Sequence, residues 1–106
     1  MEFDEQVFHA FDLNALVTFL VVYRERGVSR AAAKLKVTQP AVSNVLSKLR
    51  RRLGDPLFIP RGRWVQPTSY ATQLARRLEP ALLTMQEVIT SKDAPSSRMN
   101  GGSRGS

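Results

Sequence analysis

Val28-Ser29-Arg30-Ala31-Ala32-Ala33-Lys34-Leu35-Lys36-Val37-Thr38-Gln39-Pro40-Ala41-Val42-Ser43-Asn44-Val45-Leu46-Ser47 spells two helices joined by a tight turn. Ser29 is a capping residue type ahead of a short helix over about Arg30 to Leu35. Lys36-Val37 is the connection. Thr38 can accept the free N–H groups of a second helix over Gln39 to about Leu53, and Pro40 falls in its first turn, where a missing N–H removes no bond. A helix-turn-helix crosses its two helices steeply. The close approach needs a small residue, supplied by Ala32, and apolar packing, supplied by Leu35, Val37, Val42 and Val45. The turn often uses Gly, but Lys36 stands there. Gln39, Ser43 and Asn44 lie opposite Val42 and Val45, at the N-terminal end of the second helix. Gln and Asn match adenine edges, and a hydroxyl meets several bases. The same unit also occurs as a plain packing module, in which these residues are simply solvated.

Upstream, Asp12 is placed to cap a helix from Leu13 to about Arg26, closed by Gly27. Leu13, Leu16, Val17 and Leu20 form one apolar stripe, and Ala15, Phe19 and Val22 lie on the other side. A helix apolar on both faces needs two partners. One is this domain's own core; the other is the long last helix or a second subunit, so Phe19 is an expected dimerisation residue. Downstream, Gly54 and Asp55-Pro56 end the second helix of the pair. Leu57-Phe58-Ile59 and Trp64-Val65-Gln66 then read as short strands around a Pro60-Arg61-Gly62-Arg63 turn. Thr68 or Ser69 caps a last helix reaching about Ile89. Its apolar stripe includes Leu74, Leu78, Leu82 and Met85, an expected pairing seam, and Pro80 inside it should kink the helix. The expected fold is mainly α: a winged helix-turn-helix of three helices and a two-stranded wing, followed by a long helix. The expected division is a leader over 1–11, the winged unit over 12–67, the long helix over 68–90 and a disordered tail over 91–106.

Charge points to the partner. Sixteen Lys/Arg against nine Asp/Glu give a formal +7. Residues 24–63 hold eleven of the basic residues and two of the acids, so that window carries +9 and the rest −2. A concentrated basic stretch is the footprint of a polyanion partner, although a solvated basic surface has the same composition. In the wing, Arg61 and Arg63 flank Gly62. Arginine gains from the enhanced negative potential of a narrow, A·T-rich minor groove. Lys48 and Arg50-Arg51-Arg52 suit both phosphate and the helix dipole. Trp64 reads as a packing residue under the wing rather than as a base-stacking platform.

Other classes find little support. The chain has 106 residues and no cysteine, so disulfides and thiolate sites are excluded and a cytosolic setting is allowed. No apolar run is long enough for a membrane span, and the acidic start is no secretory signal. His9 has no ligand partner, no acids pair at a catalytic spacing, and no phosphate loop occurs. No catalytic residue, metal or cofactor is expected. A core this small favours oligomerisation.

Asp12-Leu13-Asn14, Ser29 through Leu35, Thr38 through Asn44, Leu49-Arg50, Gly54 through Phe58 and Pro67-Thr68 together resemble the DNA-binding region of the LysR-type transcriptional regulators. The likeness runs from about residue 12 to 89. Pro67-Thr68 with Pro80 is similar to the branch that contains nodulation and aromatic-catabolism regulators. The resemblance implies a winged helix-turn-helix with a linker helix. Two linker helices pair antiparallel, and two recognition helices enter successive major grooves. It implies that Gln39, Pro40, Ser43 and Asn44 face the major groove, that Arg63 enters the minor groove, and that Ser29 and Arg30 lie near phosphate. Thr38, as the cap, and Lys48, near the end of the recognition helix, join this set. Pro60 and Asn44 stand where many members carry arginine, so a phosphate contact is either missing or moved to Arg61, and the base or phosphate read at 44 changes. The partners implied are an A·T-rich interrupted palindrome of double-stranded DNA and a second copy, or a higher oligomer, on the bacterial nucleoid in the cytoplasm. Family members continue into an effector-binding domain, so this chain is expected to be a fragment or a short natural product without an inducer site. Two rival functions remain: a dimerisation partner that silences a full-length member, and charge-driven, non-specific packaging of nucleic acid.

Overall fold

The computed structural model describes residues 2–91. In chain order the elements are α1 (Glu5–Ala10), α2 (Leu13–Glu25), α3 (Val28–Leu35), α4 (Gln39–Leu53), β1 (Phe58–Arg61), β2 (Trp64–Pro67) and α5 (Ser69–Thr90). The fold is mainly α, with one antiparallel hairpin among the described residues, and it is the winged helix-turn-helix plus long helix that the sequence indicates. The expected tail lies outside the described residues beyond Ser91.

Local chemistry sets the helix ends. Asp12 accepts from the Asn14 N–H at 2.8 Å and opens α2. The Thr38 hydroxyl accepts from the Ala41 N–H at 3.2 Å and opens α4, with Pro40 in the first turn. Gly54 ends α4 in the left-handed region, at φ 67°. Thr68, not Ser69, caps α5 by accepting from the Ala71 N–H at 3.0 Å.

Four local expectations are corrected. The leader is not structureless: Asp4 accepts from the Gln6 N–H at 3.0 Å and caps α1. Gly27 does not close α2. The left-handed closing residue is Arg26 (φ 58°), while Gly27 is extended and already serves as the N-cap of α3. With only Arg26 and Gly27 between the two helices, Ser29 falls inside α3 and makes no cap bond. Val37 is 47% exposed and so is not a core residue. Its neighbour Lys36 takes the left-handed conformation (φ 59°) that a turn glycine would supply.

α2, α3 and α4 pack on one another. The core holds Phe19, Val22, Ala31, Ala32, Val42, Leu46, Leu49, Leu57 and Phe58, with Ala71 from the first turn of α5. Small side chains at Ala31 and Ala32 let α3 approach its neighbours closely. Phe19 is fully buried, its ring 5.5 Å from that of Phe58. It therefore has no surface to offer a second chain, and its expected place in a dimer seam is corrected to the core. Val17, on the other stripe of α2, remains 38% exposed. A first compact unit ends at Ala75, and a second begins at Arg76. α5 is helical through Pro80 to Thr90, and the Thr84 hydroxyl donates to the Pro80 carbonyl at 3.0 Å.

Candidate nucleic-acid interface

α4 separates apolar from polar along its length. Val42, Leu46 and Leu49 are buried at a spacing of four and three residues, which is one helix face. Gln39, Pro40, Ser43, Asn44 and Lys48 are exposed, as is the cap Thr38. The first two turns of α4 thus present an amide from Gln39, a hydroxyl from Ser43 and an amide from Asn44 to solvent. Ser29 and Arg30, in the first turn of α3, are exposed as well.

The hairpin is held close to the start of α3. Phe58 pairs with Pro67, Ile59 with Gln66, Pro60 with Val65 and Arg61 with Trp64. The turn is therefore two residues long, Gly62-Arg63, shorter than the sequence indicates, because Pro60 and Arg61 belong to β1. Gly62 has φ 63°, and glycine is the residue that a positive φ at the first loop position favours. The Val65 N–H donates to the Arg26 carbonyl at 3.0 Å. A Cβ placed on Gly27 would lie 3.7 Å from Arg30 Cδ and 3.9 Å from the Arg63 carbonyl oxygen. The left-handed turn at Arg26 is thus the fixture that sets the wing beside Arg30. Its own guanidinium lies over the Tyr23 ring at 4.7 Å and donates to the Tyr23 carbonyl at 2.7 Å.

The cations sort by whether the protein uses them. Arg50 Nε donates to the Pro56 carbonyl at 2.9 Å, and Arg52 lies 5.9 Å from the Phe11 ring centre. Arg24 meets Glu25 at 3.4 Å. Arg61 Nε donates to Gln66 Oε1 at 3.0 Å. Of the cations on α4, the wing and the first turn of α3, the side chains of Arg30, Lys48, Arg51 and Arg63 make no hydrogen bond or ion pair among the described residues and remain available to an anion. Of the mixed Arg50–Arg52 run, only Arg51 stays free. No group of acids, histidines or cysteines among the described residues is arranged to hold a metal ion.

The sequence reading missed two features. Trp64 is 48% exposed rather than packed under the wing. Strand alternation carried the signal, since Val65 beside it must face the other way. Asp55, read only as a helix breaker, is the acceptor that organises the base of the hairpin.

A helix-turn-helix with an outward polar second helix, and a wing carrying a free arginine, defines a winged helix-turn-helix module. Residues 13–72 match the family described as bacterial regulatory helix-turn-helix protein, lysR family, and the chain belongs to that family. It is 46% identical over 83 residues to the HTH-type transcriptional activator NagR of a Ralstonia species, a match covering 78% of this chain and 28% of NagR. It is 42% identical over 87 residues to nodulation protein D 1 of Bradyrhizobium sp. (strain NC92), covering 82% of this chain and 28% of that protein. The chain thus spans little more than a quarter of the length of these relatives. Its fold matches the BenM DNA-binding domain, solved as a complex with benA site 1 DNA, at a TM-score of 0.74 and 24% identity over 82% of this chain and 98% of that one.

Proposed function

We propose that the chain is the DNA-binding part of a LysR-type transcription regulator. It binds a duplex sequence-specifically, as a homodimer on an A·T-rich interrupted palindrome. The observation that carries this is the division of α4: Val42, Leu46 and Leu49 are buried while Gln39, Pro40, Ser43 and Asn44 are exposed at its N-terminal end. An α-helix fits the major groove, and these side chains are of the lengths and types that read base edges. Thr38 caps the helix, and Ser29, Arg30 and Lys48 take phosphates. Arg63 enters the minor groove, with Arg61 braced behind it. Phosphate contacts supply most of the affinity and make it fall with salt. Related proteins named as regulators, and a similar domain solved on DNA, support the same function.

The second copy pairs through α5. Leu74, Leu78 and Leu82 are half-buried and Met85 is 41% exposed. Val88 and Ile89 are more exposed still, at 64% and 77%. Among the described residues no helix is long and apolar enough to cross a membrane, and we place the chain on the nucleoid in the cytoplasm. It works by binding, with no reaction and no cofactor of its own. The test is competition. Genomic fragments selected by the purified chain are labelled and challenged with excess random duplex. The complex on a selected fragment is expected to survive; equal displacement by selected and random DNA would overturn sequence-specific binding.

A further inference from the structure

The two faces of the wing differ. Successive residues of a strand alternate sides, so Phe58, Pro60, Val65 and Pro67 share one face, and Ile59, Arg61, Trp64 and Gln66 the other. The first face turns inward, with Phe58 buried and Val65 and Pro67 half-buried. The second carries Trp64, 48% exposed, with its indole N–H bonded to no described residue. A large aromatic side chain left half in water forgoes stabilisation that a partner surface would supply. Its neighbours identify that surface. Arg61 stands directly across the hairpin, held by Gln66, and Arg63 precedes Trp64 with its guanidinium free. An apolar plate between two cations matches a deoxyribose between two phosphates.

We propose that Trp64 is a further positioning residue of the nucleic-acid interface. Its ring lies on a deoxyribose of the strand bordering the groove that Arg63 enters, and its indole N–H donates to the adjacent phosphate oxygen. This rests on the DNA-binding function proposed above. Duplex DNA is the occupant because the flanking charges are both positive. A contact made by apolar area and a neutral N–H differs from an arginine contact in one measurable way: it neutralises no phosphate and barely depends on salt, whereas each lost cation–phosphate contact lowers the salt slope by about 1.

Trp64 is the one tryptophan of the chain, so its emission reports this site alone. The wild-type chain is titrated with an end-labelled duplex selected by the chain itself. Label anisotropy reads binding, and tryptophan emission with acrylamide quenching reads cover over Trp64. Emission is expected to change at saturation, and quenching to fall. Trp64→Ala is expected to weaken binding roughly fivefold to tenfold, the range of an interface aromatic, by the same factor at every salt concentration, with Trp64→Phe recovering part of it. Binding with unchanged emission and quenching would overturn this inference and leave the proposed function intact. So would unchanged affinity in Trp64→Ala, or an emission change that follows protein concentration without duplex, which would give the face to a second copy. Absence of any duplex binding would overturn both proposals.

Discussion

The Asp55 carboxylate and the Thr68 hydroxyl, thirteen residues apart at the two ends of the wing, are joined by a hydrogen bond of 2.8 Å. The same Asp55 oxygen accepts from the Leu57 N–H at 2.7 Å. The Thr68 N–H donates to the Leu57 carbonyl at 2.9 Å, and the Thr68 hydroxyl accepts from Ala71 at the start of α5. Four bonds thus fasten three chain segments. They also hold Leu57 at φ 67° with its side chain fully buried, a conformation that disfavours a residue with a Cβ by about 1–2 kcal/mol. The wing starts from a rigid base because this node over-determines Leu57.

Removing either partner therefore destabilises the unit more than an exposed polar change would. Asp55→Ala is expected to cost about 1–3 kcal/mol, since it leaves the Leu57 N–H and the Thr68 hydroxyl without their acceptor. Thr68→Val keeps the shape and removes the cap, at about 1–2 kcal/mol. The two should not add, because they share one bond. Urea unfolding of the two single variants and the double checks this, and strict additivity would dissolve the node.

Phe19 and Leu78 separate core from interface. Phe19→Ala is expected to lose about 3–5 kcal/mol, a large part of the stability of a domain this size, so helicity and assembly fail together. Leu78→Asp places a charge in the proposed seam. It should give folded monomers, with the circular dichroism of the parent and half its mass by light scattering. A dimer mass for Leu78→Asp would remove α5 from the interface.

Much of this was legible in the sequence, for local reasons. Thr38, Pro40 and Gly54 mark α4 by chemistry that acts within a turn, and the structure uses all three. The exposed polar residues at 39, 43 and 44 follow from helix periodicity alone. What the sequence hid was set at a distance or over very short spans. α1 has six residues, too few for a periodic signal, and only Asp4 announces it. Only two residues separate α2 from α3; Gly27 is taken up as the N-cap of α3, so Arg26 rather than the adjacent glycine takes the left-handed turn. Phe19 sits on a helix apolar on both sides, and nothing local tells which side meets Phe58. The Asp55–Thr68 bond joins positions that only the closed hairpin brings together.

Gln39 tests base reading. It occupies the first turn of α4, exposed, one residue beyond the cap. Gln39→Ala is expected to lose about 1–3 kcal/mol on a selected duplex and much less on random DNA, which blurs specificity while leaving the salt slope nearly unchanged. Equal losses on both duplexes would mean that Gln39 touches backbone rather than a base edge.

Arg63 tests the wing. Both wing arginines are exposed, but Arg61 spends its Nε on Gln66 and Arg63 makes no bond among the described residues. The free one is the candidate for a groove whose negative potential depends on width, and A·T tracts are narrow. Arg63→Ala is therefore expected to lower the preference for A·T pairs flanking the half-sites, and to reduce the salt slope by about 1 if a phosphate contact goes with it. Arg61→Ala should act differently: it releases Gln66 and loosens the wing, with a smaller effect on A·T preference. Affinities for duplexes with A·T and G·C flanks, measured for each variant across a salt series, separate the two. An A·T preference unchanged in Arg63→Ala would take this side chain out of the minor groove.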